Sequence, residues 1–155
     1  MEALKIKRSD IFVVLGHKHK MIKDSIDVEV PIVVNKQYAQ GIGTSIACGV
    51  KSLKKKAYEA VIILLTDQVY FGVHQIQDLI ELYENSDSEI VISKYEDGQG
   101  PPSLFSSKYF ADLEKLKDDN GGKDVIKKYS NNVGYISFPK GHLDIDFKAD
   151  LNKLL

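Results

Sequence analysis

The sequence predicts a three-layer α/β domain with a mostly parallel sheet, and two observations carry that expectation. Five short apolar runs rich in β-branched residues punctuate the chain, at 11–15 (IFVVL), 28–34 (VEVPIVV), 60–65 (AVIILL), 89–93 (EIVIS) and 133–138 (VGYISF). Their hydrophobicity is continuous rather than alternating, the pattern of strands covered on both faces. Between them lie segments whose apolar residues recur at helical three- and four-residue steps, so strands and helices alternate as in βαβ crossovers.

The first run, 11–15, leads into GHKHK, where His17 and His19 flank Lys18. Two histidines at that spacing suit a metal, but the lysines oppose a cation, so a solvated basic loop is expected. In the second run Pro31 cannot donate a ladder hydrogen bond, so this strand lies at an edge or starts at the proline. It leads through Asn35 to Gly41, Gly43, Thr44 and Ser45, and then to a helical stripe of Ile46, Val50, Leu53 and Ala57. The glycines would let backbone approach a ligand, and Thr44 or Ser45 would cap a helix whose free N–H groups attract anions. A plain glycine turn followed by a capped helix explains the same residues equally well.

The most apolar run, 60–65, delivers Thr66, Asp67 and Gln68 directly. In open α/β sheets the ligand crevice lies beyond the carboxyl ends of the strands, so Asp67 is the best-placed acid in the chain. It suits a hard cation such as Mg²⁺, and an N-cap or Asx-turn is the structural alternative. His74 starts a helix marked by Ile76, Leu79, Ile80 and Tyr83. After the fourth run, Gly98, Gly100, Pro101 and Pro102 make 95–107 read as a long loop. Phe110, Leu113 and Leu116 mark a third helix, and DDNGGK at 118–123 a second loop. Beyond the last strand, Asp144 and Asp146 stand two apart; on an extended chain both face one side and could share a cation. A solvated turn capping a final helix at Asp146 or Asp150 is the alternative. Joined with Asp67, the pair becomes a two-ended metal clamp.

At 155 residues the chain is of single-domain size and needs no staple to build its core. Hydrophobic residues at 43% and charged residues at 28% exclude disordered, collagen-like and coiled-coil classes. With 21 Lys and Arg against 22 Asp and Glu, the net charge is −1, which speaks against nucleic acid as a partner. No apolar run approaches the ~20 residues of a membrane span, and the N-terminus MEALKIKRSD has no apolar leader, so no membrane partner is expected. Cys48, the lone cysteine, excludes a disulfide framework; it fits a reducing, cytoplasmic compartment and a small buried role. No nucleophile elbow or Ser-His-Asp pattern appears.

Six segments in order resemble the MobA-like nucleotidyltransferases of molybdenum cofactor synthesis, especially the cytidylyl-transferring branch. IFVVLG (11–16) is similar to the family's VVVVLG, and VVN-x5-GIGTS (Asn35, Gly41, Gly43, Ser45) to VVNPxWxxGMGSS. LLTDQ (64–68) resembles LLGDQP, and GPPSLF (100–105) resembles GHPVLF. NGGKDVIKK resembles GDxGARxLL, and LDIDFKADL resembles LDIDTPEDL. The resemblance implies a Rossmann-like sandwich of the nucleotide-diphospho-sugar transferase (type-A glycosyltransferase) kind. It also implies a Mg²⁺-dependent reaction, in which a phosphate of a molybdopterin-type acceptor attacks the α-phosphorus of CTP or GTP and pyrophosphate leaves. Asp67 and Asp146 would be the catalytic metal carboxylates, assisted by Asp144. Asn35, Gly41, Gly43 and Ser45 would contact the nucleotide, with Gly100 and Gly122 in segments facing the acceptor. A molybdoenzyme or its chaperone would be the protein partner.

This sequence departs from the pattern at Thr66, where the family has glycine, and at Pro101, where histidine is usual. Phe147 and Lys148 replace Thr-Pro. Met1–Asp10 resembles only the end of the helix that follows the family's opening strand and its LAAGxSxRMGxxK loop. The resemblance thus implies that 1–155 is one domain without its first strand, phosphate loop and most of its first helix. Two other functions fit the residues. One is a sugar-nucleotide transferase of the same fold using Asp144 and Asp146 as its metal pair. The other is an inactive nucleotide- or cofactor-binding remnant.

Overall fold

The computed structural model describes residues 10–68 and 70–144. These group into two compact units, one formed by 10–61 and 106–130, the other by 62–105 and 131–144. The expectations for Asp146 and for a final helix capped at Asp146 or Asp150 lie outside the described residues.

In the first unit, β1 (Val13–Leu15) and β2 (Ile32–Val34) pair in parallel, Val13 opposite Ile32 and Leu15 opposite Val34. β2 begins directly after Pro31, whose carbonyl accepts the Val13 N–H at 2.9 Å; the ring removes a donor but leaves an acceptor. The stretch expected as a basic loop instead forms α1 (His19–Ser25), which buries none of its side chains. Lys18 takes a left-handed conformation at its start, the local turn that lets the helix begin there. α2 (Ile42–Ser52) lies against β1 and β2. Its buried stripe is Gly43, Thr44, Ala47 and Val50. The expected stripe through Ile46 is thus rotated toward small residues, and α2 passes close enough to β1 that a Cβ on Gly49 would come 3.0 Å from Val14. Leu53 is buried in the turn after α2, as expected, whereas Ala57 lies beyond the helix. Tyr109, Leu113 and Val125, from the turn before α4, α4 itself (Phe110–Leu113) and α5 (Lys123–Lys128), complete this core.

The second unit carries a four-stranded sheet. β3 (Ala60–Ile63), whose last two residues belong here, is followed in spatial order by β5 (Gln99–Ser106), β4 (Ile90–Lys94) and β6 (Val133–Ser137). β4 pairs in parallel with β6 and antiparallel with β5. Ile90, Val91, Ile92 and Ser93 are fully buried, as a continuous apolar run at a sheet centre requires. α3 (Val73–Asn85) packs on β4 and β6 through Ile76 and Leu79, its start held by the Gly72 N–H donating to Gln75 Oε1 at 2.8 Å.

The expected loop at 95–107 is corrected by β5. Glycine and proline there do not break the strand, because the ladder shifts register beside them. Ile92 faces Ser103 while Ser93 faces Gly100, so Pro101 and Pro102 sit in a bulge where no N–H is needed. The buried Ser93 hydroxyl donates to the Pro102 carbonyl at 2.8 Å, satisfying the acceptor that the bulge frees.

Candidate functional site

At the end of β3 the chain leaves the sheet through Leu64 and Leu65 to Thr66, Asp67 and Gln68. Asp67 is half-buried, and its Oδ1 is wholly enclosed with no hydrogen-bond partner among the described residues. A desolvated carboxylate oxygen without a donor is costly, and proteins keep such groups for a ligand or for chemistry.

Its neighbour Gln68 is 8% exposed, and its amide nitrogen is closely held. Nε2 lies 3.0 Å from Tyr95 Oη, 2.9 Å from the Pro101 carbonyl and 2.7 Å from the Gly141 carbonyl. Tyr95 Oη donates in turn to the Pro101 carbonyl. The Gln68 backbone forms an antiparallel bridge with Asp144, which is exposed. Tyr95 fits between two glycines. A Cβ on Gly100 would fall 2.7 Å from its hydroxyl, and one on Gly141 would fall 2.2 Å from its ring. Phe138 meets the same ring edge-on at 6.0 Å. Burial pushes the Tyr95 phenol above its ordinary pKa; the Gln68 hydrogen bond opposes that and the Asp144 charge adds to it.

In the other unit, Asn35 at the exit of β2 is 3% exposed. Its Nδ2 donates to Thr44 Oγ1 at 2.9 Å and Ser45 Oγ at 3.0 Å, and its Oδ1 accepts the Gln37 N–H at 2.8 Å. The expected cap at Thr44 or Ser45 is corrected. Gly41 is the N-cap, and Thr44 is already inside α2, its hydroxyl turned back to the Gly41 and Gln37 carbonyls at 2.8 and 3.0 Å. A Cβ on Gly41 or Gly43 would lie 2.3 Å from the backbone of Asp118 or Lys117, respectively, and the Gly43 N–H donates to the Asp118 carbonyl at 2.8 Å. The chain's own 117–119 segment thus occupies the space those glycines open. Near this end Val34, Tyr38 and Ile42 remain exposed. Asn35→Ala should cost about 1–3 kcal/mol, because it strips the Gln37 N–H and two hydroxyls of their shared partner. Urea unfolding followed by circular dichroism would read the loss.

The remaining positions sort simply. Gly122 precedes α5 with ordinary helical angles, and it is Gly121, at φ 57°, that takes a left-handed backbone. Gly100 lies within β5 rather than in a loop. Cys48 is half-buried, its Sγ 3.8 Å from the Val34 carbonyl. His17 leans on Tyr38, and His142 lies 3.1 Å from the Pro139 carbonyl and 3.6 Å from Asp97. Among the described residues no three His, Cys, Asp or Glu side chains gather around one point, and no helix is long and apolar enough to cross a membrane. The Gln68–Tyr95 network is not apparent from the sequence alone. Tyr95 follows an apolar run closely, the place where polar site residues concentrate, but nothing in the sequence points to Gly141.

The MobA-like NTP transferase domain family matches residues 2–133. The purine catabolism protein PucB of Bacillus subtilis is 27% identical over 107 residues, 69% of this chain; those residues span only 51% of PucB, about half its length. Rv0371c of Mycobacterium tuberculosis H37Rv, solved in complex with manganese, superposes with a TM-score of 0.78 at 21% identity, over 99% of this chain and 81% of that one. The molybdopterin-guanine dinucleotide biosynthesis protein A of Archaeoglobus fulgidus gives 0.64 at 13% identity, over 97% and 79%. The fold is therefore the α/β fold of the nucleotide-diphospho-sugar transferases, with mostly parallel strands, as expected.

Proposed function

This chain belongs to the MobA-like NTP transferase domain family, and from that membership we propose that it is a nucleotidyltransferase, moving CMP or GMP from CTP or GTP to a phosphate of a molybdopterin-type acceptor. One acceptor oxygen bonds to the α-phosphorus, the bond to the β-phosphate breaks, and pyrophosphate leaves. The observation that carries the reading is Asp67, whose buried and unpartnered Oδ1 offers a hard oxygen donor beyond a strand's carboxyl end.

That donor fits a divalent cation, Mg²⁺ by the resemblance, with manganese in Rv0371c a precedent for the class of metal. Asp67 and Asp146 would hold it, with Asp144 assisting from the bridge to Gln68. When bound, such a cation neutralises triphosphate charge and orients the reacting phosphates. Asp67 presents its oxygen already desolvated, so little reorganisation precedes binding. By the resemblance the segment from Asn35 to Ser45 is the nucleotide-facing one, with Gly41 and Gly43 shaping it by admitting the 117–119 backbone. Asn35 acts there by holding its shape, since both its N–H groups and its carbonyl are engaged. Exposed Tyr38, flanked by Val34 and Ile42, provides an aromatic and apolar surface suited to a base. Gly100 and Gly122 belong to the acceptor-facing segments, and a molybdoenzyme or its chaperone is the partner to which product would pass in the cytoplasm.

Calorimetric titration of the chain with CTP, GTP and ATP, each with and without Mg²⁺, tests this. The expected result is Mg²⁺-dependent binding of CTP or GTP at least tenfold tighter than ATP. Equal, metal-independent affinity for all three would overturn it.

A further inference from the structure

We propose that Gln68 is the positioning residue of the metal carboxylates, an inference that rests on the metal role of Asp67. Asp67 Oδ1 has no partner among the described residues, so no side-chain hydrogen bond from them aims that oxygen. Its direction comes from the backbone at 67–68, and the Gln68 side chain anchors that backbone. Each proton around Gln68 is matched to an acceptor. The amide has two N–H groups and the Tyr95 phenol one O–H; the acceptors are the Gly141 carbonyl, the Pro101 carbonyl and Tyr95 Oη. With Tyr95 donating to Pro101, one amide N–H goes to Tyr95 Oη and the other to Gly141. Every proton has one acceptor.

This arrangement ties the exit of β3 to β5 at Pro101 and to the 141–144 segment at once. The same Gln68 pairs through its backbone with Asp144, the carboxylate assigned to assist at the cation. One residue therefore sets where Asp67 stands and how far away Asp144 lies. A carboxylate in its place would bring no proton and would face three oxygens. An apolar side chain would leave the carbonyl of buried Gly141 without its donor.

The test uses Mn²⁺ alone, read by loss of the free-ion electron paramagnetic resonance signal, beside the melting temperature of each variant. Gln68→Met should weaken Mn²⁺ binding about 10–100-fold, the range for residues that orient metal ligands, at a temperature where circular dichroism shows it folded. Gln68→Asn keeps an amide but is one methylene shorter; it should lose affinity in the same direction and serves if the methionine variant does not fold. Tyr95→Phe should hold Mn²⁺ affinity within about twofold, because the freed N–H finds the Pro101 carbonyl at 2.9 Å. A folded Gln68→Met or Gln68→Asn protein that binds Mn²⁺ like the parent, beside an Asp67→Asn protein that does not, overturns the positioning role alone. Unchanged Mn²⁺ affinity in Asp67→Asn overturns the metal assignment beneath it.

Discussion

Asp67→Asn should lower Mg²⁺-dependent affinity for CTP or GTP by at least about 100-fold while leaving the melting temperature within about 2–4 °C of the parent, the shift that 1 kcal/mol produces in a chain of this size. The two halves of that expectation share one cause. Among the described residues Asp67 Oδ1 is enclosed without a donor, so that oxygen gains no hydrogen bond on folding and its desolvation is a cost. Replacing the carboxylate by an amide of the same shape removes the charge a cation needs and relieves that cost. A residue kept for stability behaves in the opposite way, with a clear fall in melting temperature. Calorimetry and a thermal scan on one preparation distinguish the two, and unchanged nucleotide affinity refutes the assignment.

Gly41→Ala should destabilise the first unit by about 3 kcal/mol or more, lowering the melting temperature by several degrees. Gly41 combines φ 108° with ψ 169°, a region essentially closed to residues with a Cβ. Even with the backbone strained into place, the new Cβ would stand 2.3 Å from the Asp118 backbone, which cannot yield as a flexible side chain would. The Gly43 hydrogen bond to Asp118 breaks with the same displacement, loosening the start of α2. Gly98→Ala is the control. Nothing lies within 4 Å of its Cβ, so its effect should stay within about 0.5 kcal/mol. Guanidinium unfolding of both variants decides the matter, and equal midpoints overturn it.

Much of this architecture was legible along the chain, and the successes share a reason. Strands such as β4 are buried on both faces, and a continuous β-branched run has little else to do. α3 announces itself through Ile76 and Leu79 because one apolar stripe must face the sheet. The failures are equally physical. β5 was hidden because glycine and proline oppose strands locally, and only the shifted register against β4 makes the missing donors of Pro101 and Pro102 harmless. α1 was hidden because a helix that buries nothing leaves no hydrophobic period. Gly41 and Gly43 were legible as glycines needed for a close approach, but the approaching backbone is that of residues 117 and 118, some 75 positions away.

The site divides along the same line. The sequence by itself determined the family, the α/β class and the placement of Asp67 after the most apolar strand, since strand ends and short ordered segments are local features. Only the tertiary structure decided that Asp67 Oδ1 is enclosed without a partner, that Asn35 is wholly engaged, and that Gln68 joins Tyr95, Pro101 and Gly141. The Gln68 partners meet it across 27 to 73 residues of chain, and even the nearer partners of Asn35 reach it only once the turn into α2 has formed. Hydrogen-bond balance in a buried place is a property of groups brought together by folding, and no single segment carries it.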